Sequence, residues 1–151
     1  MSWRTVDPAT PGAFPPNIQA ILKRPATGAA TLGQRLLEID SEAGNARVAY
    51  DVGDHLLNRF GALHGGMTAA MMDDVMSIAA GLTLQWGEIS PTLEMKVSYI
   101  SMAKPGRLTG EARIVKRGRS VMFLEATLKD EAGALIATAS ATCSVIQNKK
   151  S

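Results

Sequence analysis

The chain lacks most of what would place it outside ordinary globular proteins. Its one cysteine, Cys143, excludes an intramolecular disulfide. Neither sign of charge dominates: 16 basic against 14 acidic residues give a formal net charge of +2, too small to argue for a nucleic-acid partner. There is no internal repeat and no low-complexity segment. No positively charged stretch followed by an apolar core opens the sequence, because Trp3, Arg4, Asp7 and Pro8 interrupt it, so the cytoplasm is the expected compartment. The longest apolar run, Met67 to Leu84, has Asp73 and Asp74 near its middle. Two carboxylates at mid-membrane are costly, so no membrane span is expected.

What is present suits one domain. A chain of 151 residues can bury a core without disulfides or metal, and 46% apolar with 20% charged residues is ordinary for a folded protein. Five of the 7 prolines (Pro8, Pro11, Pro15, Pro16 and Pro25) fall early. Residues 1–30 therefore read as an irregular arm with at most one short helix, Asn17 to Arg24, where Ile18, Ile21 and Leu22 recur at helical spacing.

From Thr31 the period changes to two. Leu37 and Ile39, then Val48, Tyr50 and Val52, alternate with charged residues around a turn at Glu42 to Asn45, which predicts a β-hairpin. A glycine-marked loop, Gly53 to Gly66, leads into a helix ending near Gly81 or Gly87. Four further strands follow. Leu93, Met95, Val97 and Tyr99 share a face opposite Thr92, Glu94, Lys96 and Ser98; the others centre on Leu108 to Ile114, Met122 to Leu128 and Leu135 to Val145. This order predicts an α+β fold, a curved antiparallel sheet wrapped around one long central helix, over residues 31–148. The small side chains of Ala137, Ala139 and Ala141 would let that helix approach closely.

The helix is apolar all round, which marks the buried centre of a domain, so its two aspartates need a reason. No Lys or Arg occurs from Gly61 to Glu88, so no nearby basic partner explains Asp73, which reads as functional. Cys143 lies on an apolar strand face and reads as core. Met67, Met71, Met72 and Met76 read as adaptable core or pocket wall.

Asn58, His64-Gly65-Gly66 six residues on, and Asp73 nine after the histidine together resemble the signature of hotdog-fold acyl-CoA thioesterases of the phenylacetyl-CoA and 4-hydroxybenzoyl-CoA type. Two further segments match: Tyr99-Ile100-Ser101-Met102-Ala103-Lys104-Pro105-Gly106 is similar to the family's segment after its third strand, and Lys116-Arg117-Gly118-Arg119-Ser120 to its basic turn. The similarity covers Thr31 to Gln147. It implies the hotdog fold, hydrolysis of an acyl-CoA to free acid and CoA, no cofactor or metal, and a homodimer often paired into a tetramer.

By that resemblance Asn58, His64 and Gly65 belong to the catalytic site with Asp73, and Gly66 to substrate binding, while Asp74 lacks the family spacing and reads as structural. Thr92 falls where the family has a Ser or Thr that helps hold water, if one residue is inserted before the strand. Arg117, Gly118, Arg119 and Ser120 resemble the turn that meets the pantetheine and phosphates of CoA. Simpler readings stand beside these: a turn-orienting His64, a loop-forming Asn58, and solvated charges at a hairpin tip.

Elementary chemistry points the same way. Gly65 at a helix start offers an unpaired N–H where a thioester oxygen gains charge. A buried Asp73 can act as general base or nucleophile, and a thiolate leaves with little acid help. Eight helical residues separate the two, about 12 Å, too far for one scissile carbon. Two antiparallel helices at an isologous interface would bring Gly65 of one copy to Asp73 of the other. A non-catalytic acyl-CoA-binding protein is the alternative from another class. A hotdog dehydratase or hydratase has less support, since Asp51 and His55 are one residue short of its D-x4-H spacing.

Overall fold

The computed structural model describes residues 2–14, 16–23 and 26–148. In chain order these form β1 (Arg4–Thr5), a short 3-10 turn (Pro11–Ala13), α1 (Pro16–Lys23), α2 (Thr27–Thr31), β2 (Gln34–Asp40), β3 (Asn45–Val52), a second 3-10 turn (Asp54–Leu56), α3 (Gly65–Gly81), β4 (Glu88–Ile89), β5 (Thr92–Tyr99), β6 (Gly106–Arg117), β7 (Val121–Asp130), β8 (Leu135–Ser144) and β9 (Ile146–Gln147). Seven strands make one antiparallel sheet in the order β1-β2-β3-β6-β7-β8-β5, while β4 and β9 pair separately. Helix α3 packs on one face of the sheet, against β3, β5, β6, β7 and β8. The α+β arrangement is the one the alternation predicts, a sheet around a central helix.

The core is the seam between α3 and the inward strand positions. Met71, Met72, Val75 and Met76 on the helix meet Val48, Tyr50, Leu108, Met122, Leu124 and Leu128, all buried. The helix approaches the sheet closely at Gly110, where an added Cβ would stand 3.1 Å from the Tyr50 ring and 3.4 Å from Val75. Ala137, Ala139 and Ala141 are buried on β8.

Four bulges modify the simple alternation, at Leu36/Glu38, Thr92/Glu94, Ile114/Lys116 and, opposite Leu128/Lys129, in β8. Each inserts one residue and reverses the facing of what precedes it. Thus Leu36 and Ile39 are the core residues of β2, and Leu37 is only half-buried.

The arm is more structured than its prolines suggest. Arg4 and Thr5 pair with Ile39 and Glu38, which makes β1 an edge of the main sheet, and α2 is a second short helix. Helix α1 starts at Pro16, one residue before the predicted start; Arg24, the predicted end, lies outside the described residues. The arm also closes α3. The Asn17 side-chain amide donates to the Gly81 and Leu82 carbonyls at 2.9 and 3.2 Å, satisfying carbonyls that a helix C-terminus leaves without partners. No helix among the described residues is long and apolar enough to cross a membrane.

Candidate active site

The loop before helix α3 pairs with itself up to His64, whose N–H donates to the Leu56 carbonyl at 2.9 Å. Asn58 builds that loop: its Oδ1 accepts from the Phe60 and Ala62 N–H groups at 2.8 and 3.3 Å, and its own N–H donates to the Ala62 carbonyl at 2.7 Å. His64 follows as the N-cap, with extended backbone at φ −64° and ψ 135°. Its Nδ1 accepts from the Gly66 N–H at 3.0 Å, so in the neutral ring the proton sits on Nε2. A Cβ at position 66 would lie 3.2 Å from that nitrogen, which makes glycine the residue that leaves the ring in place.

The consequence falls on Gly65. With the Gly66 donor taken by His64, and Met67 and Thr68 donating to the His64 carbonyl, no group among the described residues accepts from the Gly65 N–H. It is a free donor at the positive end of a 17-residue helix. The Tyr99 hydroxyl, reaching in from β5, donates to the Gly65 carbonyl at 3.1 Å and fixes the other side of that residue. Tyr99 figures in the sequence as a strand residue and as part of a motif; its contact with Gly65 spans 34 positions and has no local signal.

Two turns further on, Asp73 lies half-exposed on α3. The Thr92 hydroxyl donates to its Oδ1 at 2.8 Å, and the Cys143 thiol sits 3.8 Å from the Thr92 oxygen, directed as a donor. Burial pushes the Cys143 thiol up, partly offset by the Thr92 hydrogen bond, so it stays a thiol and serves as a weak donor. Thr92 reaches Asp73 because of the β5 bulge. Thr92 pairs with buried Cys143, Glu94 with Thr142, and Leu93 is the extra residue. Without the bulge Thr92 would share the solvent face of Glu94 and Lys96, where strict alternation places it.

Asp74, the neighbouring carboxylate, points elsewhere. Its Oδ2 accepts from the Tyr50 hydroxyl at 2.7 Å and from Gln34 Nε2 at 3.2 Å. Burial raises its pKa, and the negative charge of Asp73 adds to the rise, while the two hydrogen bonds oppose it. A carboxyl whose folded pKa exceeds its unfolded value contributes most to stability below the unfolded pKa, and that contribution is lost as pH rises through the folded one. Asp74→Asn, which keeps an acceptor for Tyr50, is therefore expected to remove a decline in stability as pH rises from the ordinary aspartate value of about 3.9 through the raised folded one. Urea unfolding at the two ends of that range reads it, and an unchanged slope would contradict the assignment.

The basic residues from Arg107 to Arg119 divide on folding. Arg107 pairs with Asp51 at 3.2 Å and Arg113 with Glu125 at 2.6 Å on the outer sheet face. Arg117 pairs with Glu88 at 3.1 Å and also donates to the Gly118 carbonyl. Lys116 and Arg119 are exposed, with no ion-pair partner among the described residues. Ser120 accepts from the Val145 N–H through its carbonyl at 2.8 Å, and the Gly118 N–H donates to Val121 at 2.8 Å, so the turn has a fixed backbone. No group of three or more His, Cys, Asp or Glu side chains among the described residues is placed to hold a metal ion.

The fold thus brings together Asp73, Thr92 and Cys143 at one place, and Asn58, His64, Gly65 and Tyr99 at another, on the same helix. About 12 Å of helix axis separates Gly65 from Asp73. Beside both runs β5, the last strand of the sheet, whose outer edge pairs with no strand among the described residues.

Comparison with known proteins finds relatives of this chain. The model of the thioesterase superfamily matches residues 60–137. A 1,4-dihydroxy-2-naphthoyl-CoA hydrolase of Listeria monocytogenes is 27% identical over 120 residues, 80% of this chain and 96% of its own length. A protein of Deinococcus radiodurans named as an esterase is 33% identical over 87 residues, 57% of this chain; the match spans only about half of that relative, 55%. Among solved structures, a phenylacetic acid degradation-related protein from Ralstonia eutropha superposes with a TM-score of 0.77 at 38% identity, over 81% of this chain and 92% of its own.

Proposed function

Because this chain belongs to the thioesterase superfamily, we propose that it hydrolyses an acyl-CoA thioester to the free acid and CoA at sites shared between two copies. The observation that carries this reading is the pairing of an unpartnered Gly65 N–H at the start of α3 with a held carboxylate, Asp73, further along the same helix.

The thioester carbonyl oxygen sits at the Gly65 N–H, where the helix terminus favours the charge that develops as the carbon becomes tetrahedral. Asp73 of the other copy has Oδ1 occupied by Thr92, leaving Oδ2 to take a proton from water as its oxygen attacks the carbonyl carbon. The C–S bond then breaks, the electron pair leaves on sulfur, and the proton held by Asp73 passes to the thiolate. Asn58 and His64 hold the loop that presents Gly65. The Arg117 to Ser120 turn, which begins three positions from the Ile114 side chain of the core, meets the phosphate end of CoA.

The free edge of β5 supports a twofold partner. Tyr99, Ile100 and Met102 at its Gly65 end are exposed, as is Phe60 in the neighbouring loop, and Leu93 is exposed at its Asp73 end. Antiparallel pairing of two such edges about a twofold axis covers apolar groups at both ends and sets Gly65 opposite Asp73. A pairing of two dimers is the larger assembly we propose, in the cytoplasm.

The test is thiol release measured across short, medium, long and aromatic acyl-CoAs. Turnover of at least one class is expected. Tight binding of these esters with no thiol released from any would favour a non-catalytic acyl-CoA-binding protein and overturn the hydrolase reading.

A further inference from the structure

The segment after α3 carries an exposed indole that the hydrolytic groups do not use. Residues 85–88 form a tight turn in which the Glu88 N–H donates to the Gln85 carbonyl at 3.0 Å. Gly87 takes φ +82°, the left-handed backbone that glycine adopts without steric cost at this place in a turn. One carboxylate oxygen then secures it: Glu88 Oε2 accepts from the Gln85 N–H at 2.9 Å and from the Arg117 guanidinium at 3.1 Å. From the other side the Asn148 N–H donates to the Gly87 carbonyl at 2.7 Å, next to the β4–β9 pair.

Trp86 is at the apex of this turn. Its backbone is held on both sides while its side chain is 86% exposed. The contrast with Trp3 is direct, since the Arg47 guanidinium stacks over the Trp3 ring at 4.7 Å. A cleft of about 470 Å³ opens beside Trp86, with Pro16, Ala20, Ile21 and Leu84 among its walls.

A rigid turn that leaves a large flat apolar ring in water offers a platform for another flat ring. The surrounding charge selects which kind. Glu88 ties the Trp86 turn to Arg117, and Arg117 opens the basic turn that also carries Arg119, with Lys116 just before it. Lys116 and Arg119 have no ion-pair partner among the described residues. Resting on the acyl-CoA reading above, we propose that Trp86 is the surface on which the adenine ring of CoA stacks, with its phosphates drawn to Lys116 and Arg119. Stacking suits any purine face, and the cations match the anionic groups attached to this one.

The experiment follows tryptophan emission of the intact protein during titration with CoA, with adenosine 3′,5′-bisphosphate and with pantetheine. Quenching by the first two and none by pantetheine is expected, with the quenching lost in Trp86→Ala. The same variant should lower the ratio of kcat/KM for acyl-CoA to that for acyl-pantetheine about tenfold. Quenching retained in Trp86→Ala, or an unchanged ratio, overturns the proposal. So does a lower solution mass for Trp86→Ala, which would show that a second copy covers the indole. The nucleotide titration needs no turnover, so the two readings fail separately: Trp86-dependent quenching in a protein that releases no thiol refutes only the hydrolase, and hydrolysis without such quenching refutes only the platform.

Discussion

Replacing Asp73 by asparagine is expected to lower kcat by about a hundredfold to ten-thousandfold, the range typical of removing a general base, while leaving the fold intact. Asparagine has the shape of aspartate and still offers an oxygen to the Thr92 hydroxyl, which now lies 2.8 Å from Oδ1. What it cannot do is take a proton from water. Asp73 is half-exposed on α3 and has no ion-pair partner among the described residues, so no packing or pairing is lost with its charge. Thiol release assayed beside a thermal unfolding curve separates the two effects. Near wild-type turnover in a folded Asp73→Asn protein would remove Asp73 from the mechanism.

The second large effect comes from Gly65→Pro, a substitution aimed at a single hydrogen atom. Gly65 is the first residue of α3, the position where proline is best tolerated, because its missing N–H has no helical partner there. The preceding residue must be extended, and His64 is, at φ −64° and ψ 135°. A Cβ at position 65 would stand 3.5 Å from the Tyr99 ring, an ordinary contact. The variant therefore keeps the helix and removes the donor. Loss of one such donor lowers kcat by about a hundredfold to a thousandfold. Thiol-release kinetics with matching circular dichroism would show it, and unchanged turnover would mean that the oxyanion is held elsewhere.

Much of this is written locally in the sequence. The period-two pattern of the strands, the Gly65–Gly81 helix and the histidine before two glycines are short-range signals, and they predict the elements that carry the site. What the sequence hides is register. Alternation puts Thr92 on the same face as Glu94 and Lys96, yet one inserted residue, Leu93, turns Thr92 inward to Asp73. Leu37 is displaced from the core by the same device at Leu36/Glu38. A bulge leaves no compositional mark, because it arises when the pairing partners on the next strand are fixed by burial elsewhere. Contacts between distant segments are hidden for the same reason. Asp74 reads as structural because it lacks the family spacing, but the Tyr50 and Gln34 groups that hold it lie 24 and 40 positions away. The apolar arm residues were visible as helix, while the capping of α3 by Asn17 depends on a contact 64 positions distant.

The distance along α3 is the reason the proposed site is read as bipartite, and one measurement addresses that directly. Asp73→Asn and Gly65→Pro chains, each inactive alone, are co-expressed and assayed as a mixture. In a twofold dimer half of the random pairs are mixed, and each mixed pair has one site with a native Gly65 and a native Asp73, so about a quarter of wild-type activity is expected to return. Activity no higher than that of either variant alone, in a mixture shown by mass to contain mixed pairs, would contradict a site shared between two copies.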